Sequence, residues 1–292
     1  MTWKRVATAA VLLPLVIGVV MWGTTAMVAL GMALVILLAL FEYFALGDAI
    51  GHRAHRFWTA TCALLFVYFQ WLPTALNESY PLSGGVTLSR IIWRFSYGLP
   101  TAADGILIFV MGIAVITLFT RRPLVEALPA AGISASGLLL VAFPLTFAIR
   151  LHAVMPDGRE LLLFALVIVW VGDTAAYFVG RSIGKHALAP KLSPKKTWEG
   201  TIASFIAALL VAGVFSRWLN VPLPHLLGMA AAGNIAGQAG DLLESAYKRS
   251  AGVKDSGTLL PGHGGVLDRI DALILAIPVV WYYWVLVVPP GS

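Results

Sequence analysis

Carboxylates recur at helical spacing in two stretches near the end of the chain. Asp241, Glu244 and Lys248 are three and four residues apart, so one face of a helix presents all three. Asp268 and Asp271 are likewise three apart, at the start of a later apolar segment. Two helix faces that carry carboxylates can converge on a divalent cation, and such hard oxygen ligands suit Mg²⁺. The spacing therefore predicts a metal site built from two helices.

Glycines and cations lie between and around these carboxylates. Gly262, His263, Gly264 and Gly265 precede the second stretch, and glycine lets a backbone approach a ligand closely, while a helix start offers free N–H groups to an anion. The basic residues nearby are Lys248, Arg249, Lys254 and Arg269. Cations for phosphate beside carboxylates for metal indicate phosphoryl or nucleotidyl transfer. We interpret His263 as a phosphate hydrogen-bond donor or a turn residue.

A solvated loop at the membrane surface is the alternative explanation for these charges. It accounts for Lys248, Arg249 and Lys254. It does not explain why Asp268 and Asp271 open an apolar helix, where burial without partners would be costly.

A second basic stretch lies upstream, between residues 180 and 200. Ser193 is positioned to cap a helix that Pro194 opens, which would place Lys195 and Lys196 in its first turn. Because the helix dipole disfavours lysine there, the pattern predicts an anion held at that terminus. Ordinary anchoring by positive charge on the inner side of a membrane is the alternative.

One further acidic residue, Asp173, falls near the end of an apolar segment. An ionisable group at that depth is a candidate functional residue. Arg181 is a possible partner that would neutralise it.

Helices in a membrane must position these groups. The 292 residues are 59% hydrophobic and 12% charged, with a mean hydropathy of +0.87, whereas soluble domains carry about 25% charged residues. We predict an all-α, polytopic integral membrane protein, since each apolar run is long enough to cross a bilayer as a helix. The nine predicted spans are 6–22, 24–46, 58–76, 105–120, 129–149, 160–179, 201–216, 225–240 and 264–287.

The basic residues also predict an orientation. With nine spans and a cytoplasmic N-terminus, fifteen of the twenty Lys and Arg residues fall on the cytoplasmic side, as the positive-inside rule requires. The net charge of +6 is then mostly topological and gives no indication of nucleic-acid binding. Anionic lipids of the inner leaflet would attract it instead.

The chain divides into two parts by its chemistry. Residues 1–160 form a predicted scaffold of apolar helices with few polar residues inside the spans. Residues 161–292 form the predicted catalytic region, and half of all acidic residues lie between positions 170 and 271. The single cysteine, Cys62, excludes an intramolecular disulfide.

The same residues resemble the signature of the phosphatidate cytidylyltransferase family. That signature is read here as Ser245, Lys248-Arg249, Lys254-Asp255, His263-Gly264-Gly265, Asp268-Arg269 and Asp271, with every spacing kept. Tyr247 departs mildly from it, at a place that is more often aliphatic or Phe. The stretches around Asp173, Arg181, Ser193–Gly200 and Asp241 are also similar to the family.

The resemblance implies an enzyme of the cytoplasmic membrane that transfers CMP from CTP to phosphatidic acid, giving CDP-diacylglycerol and pyrophosphate at the cytoplasmic face. It also implies a fold of about nine helices, often a homodimer, that uses Mg²⁺ and a second, monovalent cation such as K⁺. Asp241 and Asp268 would be metal ligands, with Asp271 and Glu244 as rivals. The implied catalytic cations are Lys248, Arg249 and Arg269. The implied substrate-binding residues are Asp173, Arg181, Ser193, Lys195, Lys196, Thr197, Ser245, Lys254, His263, Gly264 and Gly265.

Two other functions use similar residues. A CTP-dependent lipid kinase of the polyprenol or phytol type would also need carboxylates and lysines at a membrane face. An ion-coupled transporter could use Asp173, Asp241 and Asp268 as an ion path. Transporters usually hold such residues near the membrane midplane, whereas here the charges cluster towards one predicted face.

Overall fold

The computed structural model describes residues 2–79, 101–260 and 264–289. Helices dominate these ranges, so the prediction of a mainly helical chain is confirmed. The helices are α1 (Thr2–Trp22), α2 (Thr25–Ala49), α3 (Arg56–Ser79), α4 (Ala102–Phe119), α5 (Leu124–His152), α6 (Gly158–Ile183), α7 (Trp198–Phe215), α8 (Leu223–Ser250) and α9 (Leu267–Val287). A short hairpin of β1 (Ala187–Ala189) and β2 (Ser193–Thr197) lies between α6 and α7.

Six of the described helices are long and apolar enough to cross a membrane. These are α2, α4, α5, α6, α7 and α9. Many of their large apolar side chains, such as Leu30, Leu118 and Leu210, are exposed on the protein surface, as lipid-facing positions should be. The chain is therefore a multi-pass membrane protein. Helices α3 and α8 are more polar, and α1 offers a shorter apolar stretch, Ala10–Trp22, so nine crossings remain a prediction.

The chain forms two compact units. One unit is Gly23–Ala153, and the other combines Met1–Trp22 with Val154–Ser292. In the first unit, α2 to α5 pack through aromatic side chains and polar contacts, such as the partly buried contact of Tyr43 Oη with Ser136 Oγ at 2.7 Å. Helix α5 begins with a 3-10 turn, Leu124–Glu126, and contains a wider π-helical turn, Gly137–Ala142, and an irregular turn at Thr146.

In the second unit, α6 to α9 pack closely because small residues lie where the helices meet. A Cβ atom on Gly172 of α6 would lie 2.6 Å from Asn234 Nδ2 and 2.7 Å from Ser204 Oγ. Asn234 in turn donates to Ser204 Oγ at 2.9 Å, and Gln238 donates to Asn234 Oδ1 at 2.7 Å. Small residues and side-chain hydrogen bonds between helices are the usual means of packing helices in lipid.

Helices α8 and α9 approach each other through Gly240. A Cβ atom there would lie 2.5 Å from the carbonyl oxygen of Asp271 and 3.4 Å from the Cα atom of Ala272. Such distances leave no room for a side chain. The backbones of the two helices are therefore in direct contact beside the acidic residues.

The lysine-rich stretch adopts a different structure from the one predicted. Ser193 to Thr197 form β2, which pairs antiparallel with β1 through Ala189 and Ser193 and through Ala187 and Thr197. Helix α7 begins only at Trp198, and Thr197 is its N-cap, accepting a hydrogen bond from Gly200 N at 3.2 Å.

The prediction that Ser193 caps a helix opened by Pro194 is therefore wrong. A helix start at Pro194 would set Lys195 and Lys196 against the positive end of the dipole. The hairpin avoids that cost and gives the backbone of this stretch strand partners. Thr197 supplies the cap instead, directly before the apolar run.

Candidate active site

Three carboxylates from two helices meet at one point. Asp241 and Glu244 of α8 and Asp271 of α9 each offer one oxygen atom, and these oxygens all lie within 4.8 Å of one another. The close approach of α8 and α9 at Gly240 brings the two helix faces together. We call these three residues the carboxylate cluster. Carboxylate oxygens are the ligands that Mg²⁺ prefers.

The environment of Glu244 fits a bound cation. Its side chain is buried, and no hydrogen-bond donor among the described residues reaches Oε1. Burial raises the pKa of Glu244 to about 8, while the neighbouring Lys248 opposes that change. A buried carboxylate needs a positive partner to remain ionised, and a divalent cation in the cluster would provide one.

Lys248 links the cluster to Asp268. Its Nζ atom lies 2.6 Å from Asp268 Oδ1 and also forms an ion pair with Glu244 one turn earlier on α8. The side chains of all three residues are largely buried. Lys248 therefore bridges two acidic groups in this structure, rather than extending into solvent.

Asp268 also organises the loop between α8 and α9. Its Oδ2 atom accepts hydrogen bonds from Gly265 N at 2.8 Å and from Ser256 N at 3.0 Å. Gly264 has φ +81°, and a Cβ atom on it would lie 2.8 Å from Asp268 Oδ2. The glycine pair predicted to approach a ligand thus wraps around the Asp268 carboxylate, which lies in the first turn of α9 where the dipole favours negative charge.

The hairpin contributes the next cations. Lys196 forms an ion pair with Asp241, and the two side chains are 26% and 29% exposed. Lys195 is exposed. Arg249 donates to two backbone carbonyl oxygens, those of Leu192 and Val253, each at 3.2 Å. Arg249 therefore joins the hairpin to the loop that follows α8.

The base of the hairpin depends on Glu199, to which the sequence had assigned no role. Its carboxylate accepts from His186 Nδ1 at 2.7 Å and from His186 N at 3.3 Å. The backbone N–H of Trp198 donates to His186 O at 2.9 Å. The position of Glu199, two residues after the cap Thr197, was a sequence signal for a helix start that could have revealed this contact.

The remaining predicted site residues differ in their partners and in their exposure. Asp173 on α6 interacts electrostatically with Asp241, Lys196 and Arg269, so it faces the same group. Arg181 donates to Tyr177 Oη at 2.9 Å and not to Asp173. Other predicted site residues are placed as follows: Ser245 is buried on α8, Lys254 is exposed in the loop, Arg269 is exposed on α9, and His263 lies outside the described residues.

Fold and site define a multi-pass helical membrane protein with a cluster of acidic and basic residues on α6, β2, α8 and α9. The model of the cytidylyltransferase family matches residues 3–287. The chain therefore belongs to the cytidylyltransferase family, and the resemblance seen in its signature residues is confirmed.

Individual relatives agree with the family. A phosphatidate cytidylyltransferase of Haemophilus influenzae is 47% identical over 133 residues, which cover 44% of this chain and 46% of the relative. One of Bacillus subtilis is 43% identical over 127 residues, covering 43% of this chain and 47% of the relative. One of Staphylococcus haemolyticus is 46% identical over 129 residues, covering 44% and 50%. The matched region spans about half the length of these curated relatives.

Proposed function

We propose that this protein is a phosphatidate cytidylyltransferase, which converts CTP and phosphatidic acid into CDP-diacylglycerol and pyrophosphate. The observation that carries the proposal is the carboxylate cluster flanked by Lys196 and Lys248. Membership of the cytidylyltransferase family and the names of the relatives support the choice of substrates.

In the proposed reaction, a phosphate oxygen of phosphatidic acid forms a bond to the α-phosphorus of CTP. The bond from that phosphorus to the bridging oxygen breaks, and pyrophosphate leaves with the electron pair. The attacking phosphate is already an anion at neutral pH, so the site needs no general base. Its main task is to hold two polyanions together in line.

The acidic residues would hold the metal. Asp241, Glu244 and Asp271 fit Mg²⁺ by their oxygen donors and their proximity. Asp268 remains a proposed ligand as well, although in this structure its oxygens accept from Lys248, Ser256 and Gly265. Bound Mg²⁺ would neutralise the triphosphate and stabilise the leaving group. A second, monovalent cation such as K⁺ belongs to the proposal too.

The basic residues would supply the remaining countercharge to the phosphates. The proposed cations are Lys195, Lys196, Lys248, Arg249 and Arg269. Losing one such preorganised contact typically costs on the order of 10²–10³ in rate. Asp173, Arg181, Ser193, Thr197, Ser245, Lys254, His263, Gly264 and Gly265 would line the substrate site around them.

The proposal includes nine membrane crossings, a cytoplasmic N-terminus and an active site at the cytoplasmic face of the inner membrane. The distribution of Lys and Arg supports that orientation, which puts the site where CTP is found. Acyl chains of the lipid substrate would remain between helices. A homodimer is also part of the proposal.

A liposome assay with CTP labelled separately at the α- and γ-phosphorus tests the reaction. With phosphatidic acid and Mg²⁺ present, α-label should enter lipid and γ-label should leave as pyrophosphate. Entry of γ-label into lipid would instead establish a lipid kinase. If neither label moves while the protein is folded, the enzyme assignment fails and transport becomes the alternative.

Variants of the acidic residues test the site. Asp241→Asn and Asp268→Asn should both lose nearly all activity if both carboxylates act in catalysis. Glu126→Gln, in the other compact unit, is a control that should retain it. Full activity of Asp268→Asn would show that Asp268 is not a metal ligand. Full activity of Asp241→Asn would show that the carboxylate cluster is not the metal site.

A further inference from the structure

The ion pair between Lys196 and Asp241 places a protein cation on a proposed metal ligand. Lys196 Nζ contacts Asp241 Oδ2, and Asp241 also supplies one of the three oxygens of the carboxylate cluster. Among the described residues, Asp241 thus belongs to a cluster suited to a divalent cation and also pairs with a lysine of the hairpin.

The hairpin that carries Lys196 is held by contacts independent of this ion pair. Arg249 donates to Leu192 O near its tip, and Glu199 binds His186 at its base. Thr197 is fixed as the N-cap of α7. Because the strand is tied on both sides of Lys196, the ammonium can leave Asp241 by rotation of its flexible four-carbon stem while the backbone stays in place.

We propose that Lys196 is a resident counterion of Asp241 that a divalent cation displaces on binding. The inference rests on the proposed metal site. In the free protein the ammonium offsets the charge of Asp241. When the cation binds, it takes over that role, and the ammonium becomes available to a phosphate that arrives with the metal. Lys196 is then a phosphate-binding residue whose availability to the nucleotide depends on the metal.

A second arrangement predicts the opposite effect of removing Lys196 on the metal affinity. If Lys196 stayed on Oδ2 while the metal used the other oxygen, the lysine would orient the carboxylate and support metal binding. Removing Lys196 would then weaken the metal affinity. Whether Lys196 competes with the metal for Asp241 or supports metal binding can therefore be decided by measuring metal affinity without substrate and without an activity assay.

The experiment measures Mn²⁺ binding to the full-length protein in detergent by electron paramagnetic resonance, without nucleotide or lipid substrate. Lys196→Gln should bind Mn²⁺ more tightly than wild type, by up to about fivefold, which corresponds to the upper end of the energy of a partly exposed ion pair. Lys196→Arg keeps a cation that can pair with Asp241, so its affinity should equal that of wild type or be weaker.

Lys195→Gln is the matched control. It removes the same charge from the next residue of β2, and no ion pair involves Lys195 within the part of the chain that the structure describes. Any general gain in cation affinity from the loss of one positive charge will appear equally in both variants. The proposal requires that Lys196→Gln bind Mn²⁺ more tightly than Lys195→Gln does.

Asp241→Asn separates failure of the inference from failure of the site. If Asp241→Asn abolishes Mn²⁺ binding but Lys196→Gln matches Lys195→Gln or binds more weakly, displacement is wrong and the metal site stands. If Asp241→Asn binds Mn²⁺ as wild type does, the metal does not use Asp241, and both the site and the inference fall. Melting temperatures of all variants establish that each remains folded.

Discussion

Lys248 Nζ lies 2.6 Å from Asp268 Oδ1, so an ion pair joins the last turns of α8 to the first turn of α9. The same ammonium pairs with Glu244. Each of the three side chains is at most 12% exposed, so the two carboxylates depend on one cation for their neutralisation within the described residues. This arrangement gives Lys248 a structural task in addition to its proposed catalytic one.

Lys248→Met should destabilise the protein strongly. Removing one member of a buried ionic group leaves uncompensated charge, at a cost of about 3–5 kcal/mol. Thermal denaturation of the detergent-solubilised protein measures the loss of stability. The uncompensated charge is that of Asp268, because burial raises the pKa of Glu244 to about 8 and Lys248 no longer opposes that rise, so Glu244 becomes protonated.

The exposed Lys185→Met is the control for that experiment and should melt within error of wild type. Equal melting temperatures for Lys248→Met and Lys185→Met would mean that the bridge contributes nothing to stability.

Gly240→Ala should push α8 and α9 apart. The added methyl group would lie 2.5 Å from Asp271 O, and overpacking of this kind typically costs about 1–3 kcal/mol. Because Asp241 and Asp271 lie on the two helices that would separate, both the melting temperature and the Mn²⁺ affinity should fall.

Gly213→Ala provides the matched substitution in α7, where a Cβ atom would have nothing within 4 Å. It should be neutral or gain up to about 1 kcal/mol from helix propensity. A Gly240→Ala variant as stable as Gly213→Ala would argue against direct backbone contact between α8 and α9.

Thr197→Val should shorten or destabilise the start of α7. Valine keeps the shape of threonine but cannot accept the hydrogen bond from Gly200 N, and loss of an N-cap costs about 1 kcal/mol. Ser193→Ala, four residues earlier, should leave the melting temperature nearly unchanged. If Ser193→Ala lowered the melting temperature more than Thr197→Val did, Ser193 would be the cap after all.

Arg249→Gln should loosen the hairpin. The guanidinium group donates to Leu192 O and Val253 O, and one amide cannot span both carbonyl groups. Hydrogen exchange should accelerate several-fold across residues 187–197, since a contact that holds this exposed segment is lost. Arg249→Lys should not rescue it, because lysine lacks the planar fork of donors.

Lys254→Gln removes a nearby exposed charge and serves as the comparison. Unchanged exchange in Arg249→Gln, or equal acceleration in Lys254→Gln, would show that the two carbonyl contacts do not hold the hairpin.

The sequence predicted the helices well because lipid imposes a simple requirement on them. Each apolar run must satisfy its own backbone hydrogen bonds, so a run of sufficient length becomes a helix. Each of the nine predicted segments overlaps one described helix, although several ends differ by a few residues. The spans predicted at 201–216 and 225–240 have the weakest signals, and the polar residues Asn234 and Gln238 of α8 make contacts with α7 that the sequence does not reveal.

The arrangement of the site was less predictable. Helical spacing places Asp241 and Glu244 on one face, but the partner of each charge depends on how two helices are rotated about each other. Helices α8 and α9 approach most closely at Gly240, but Gly233 of α8 also lies tightly against α9, so the sequence does not single out one contact. The pairing of Lys248 with Asp268 depends on how α8 and α9 meet, and the pairing of Lys196 with Asp241 depends on where the hairpin lies; neither pair has a sequence signal of its own.

The hairpin was missed because two residues could each have capped a helix. Ser193 before proline and Thr197 before the apolar run have similar local signals. The choice between them depends on β1, a three-residue strand too short to be recognised by alternation.

Backbone contact at Gly240 also bears on how such a site can change during evolution. Side chains on the lipid-facing surfaces of α8 and α9 can be exchanged for other apolar residues without altering the separation of the acidic groups, because that separation is set by main-chain atoms. The same contact leaves no room for any residue other than glycine at position 240. Sequence drift in this part of the protein should therefore be wide on the lipid-facing surfaces and narrow at the glycines that meet neighbouring helices, such as Gly233 and Gly240.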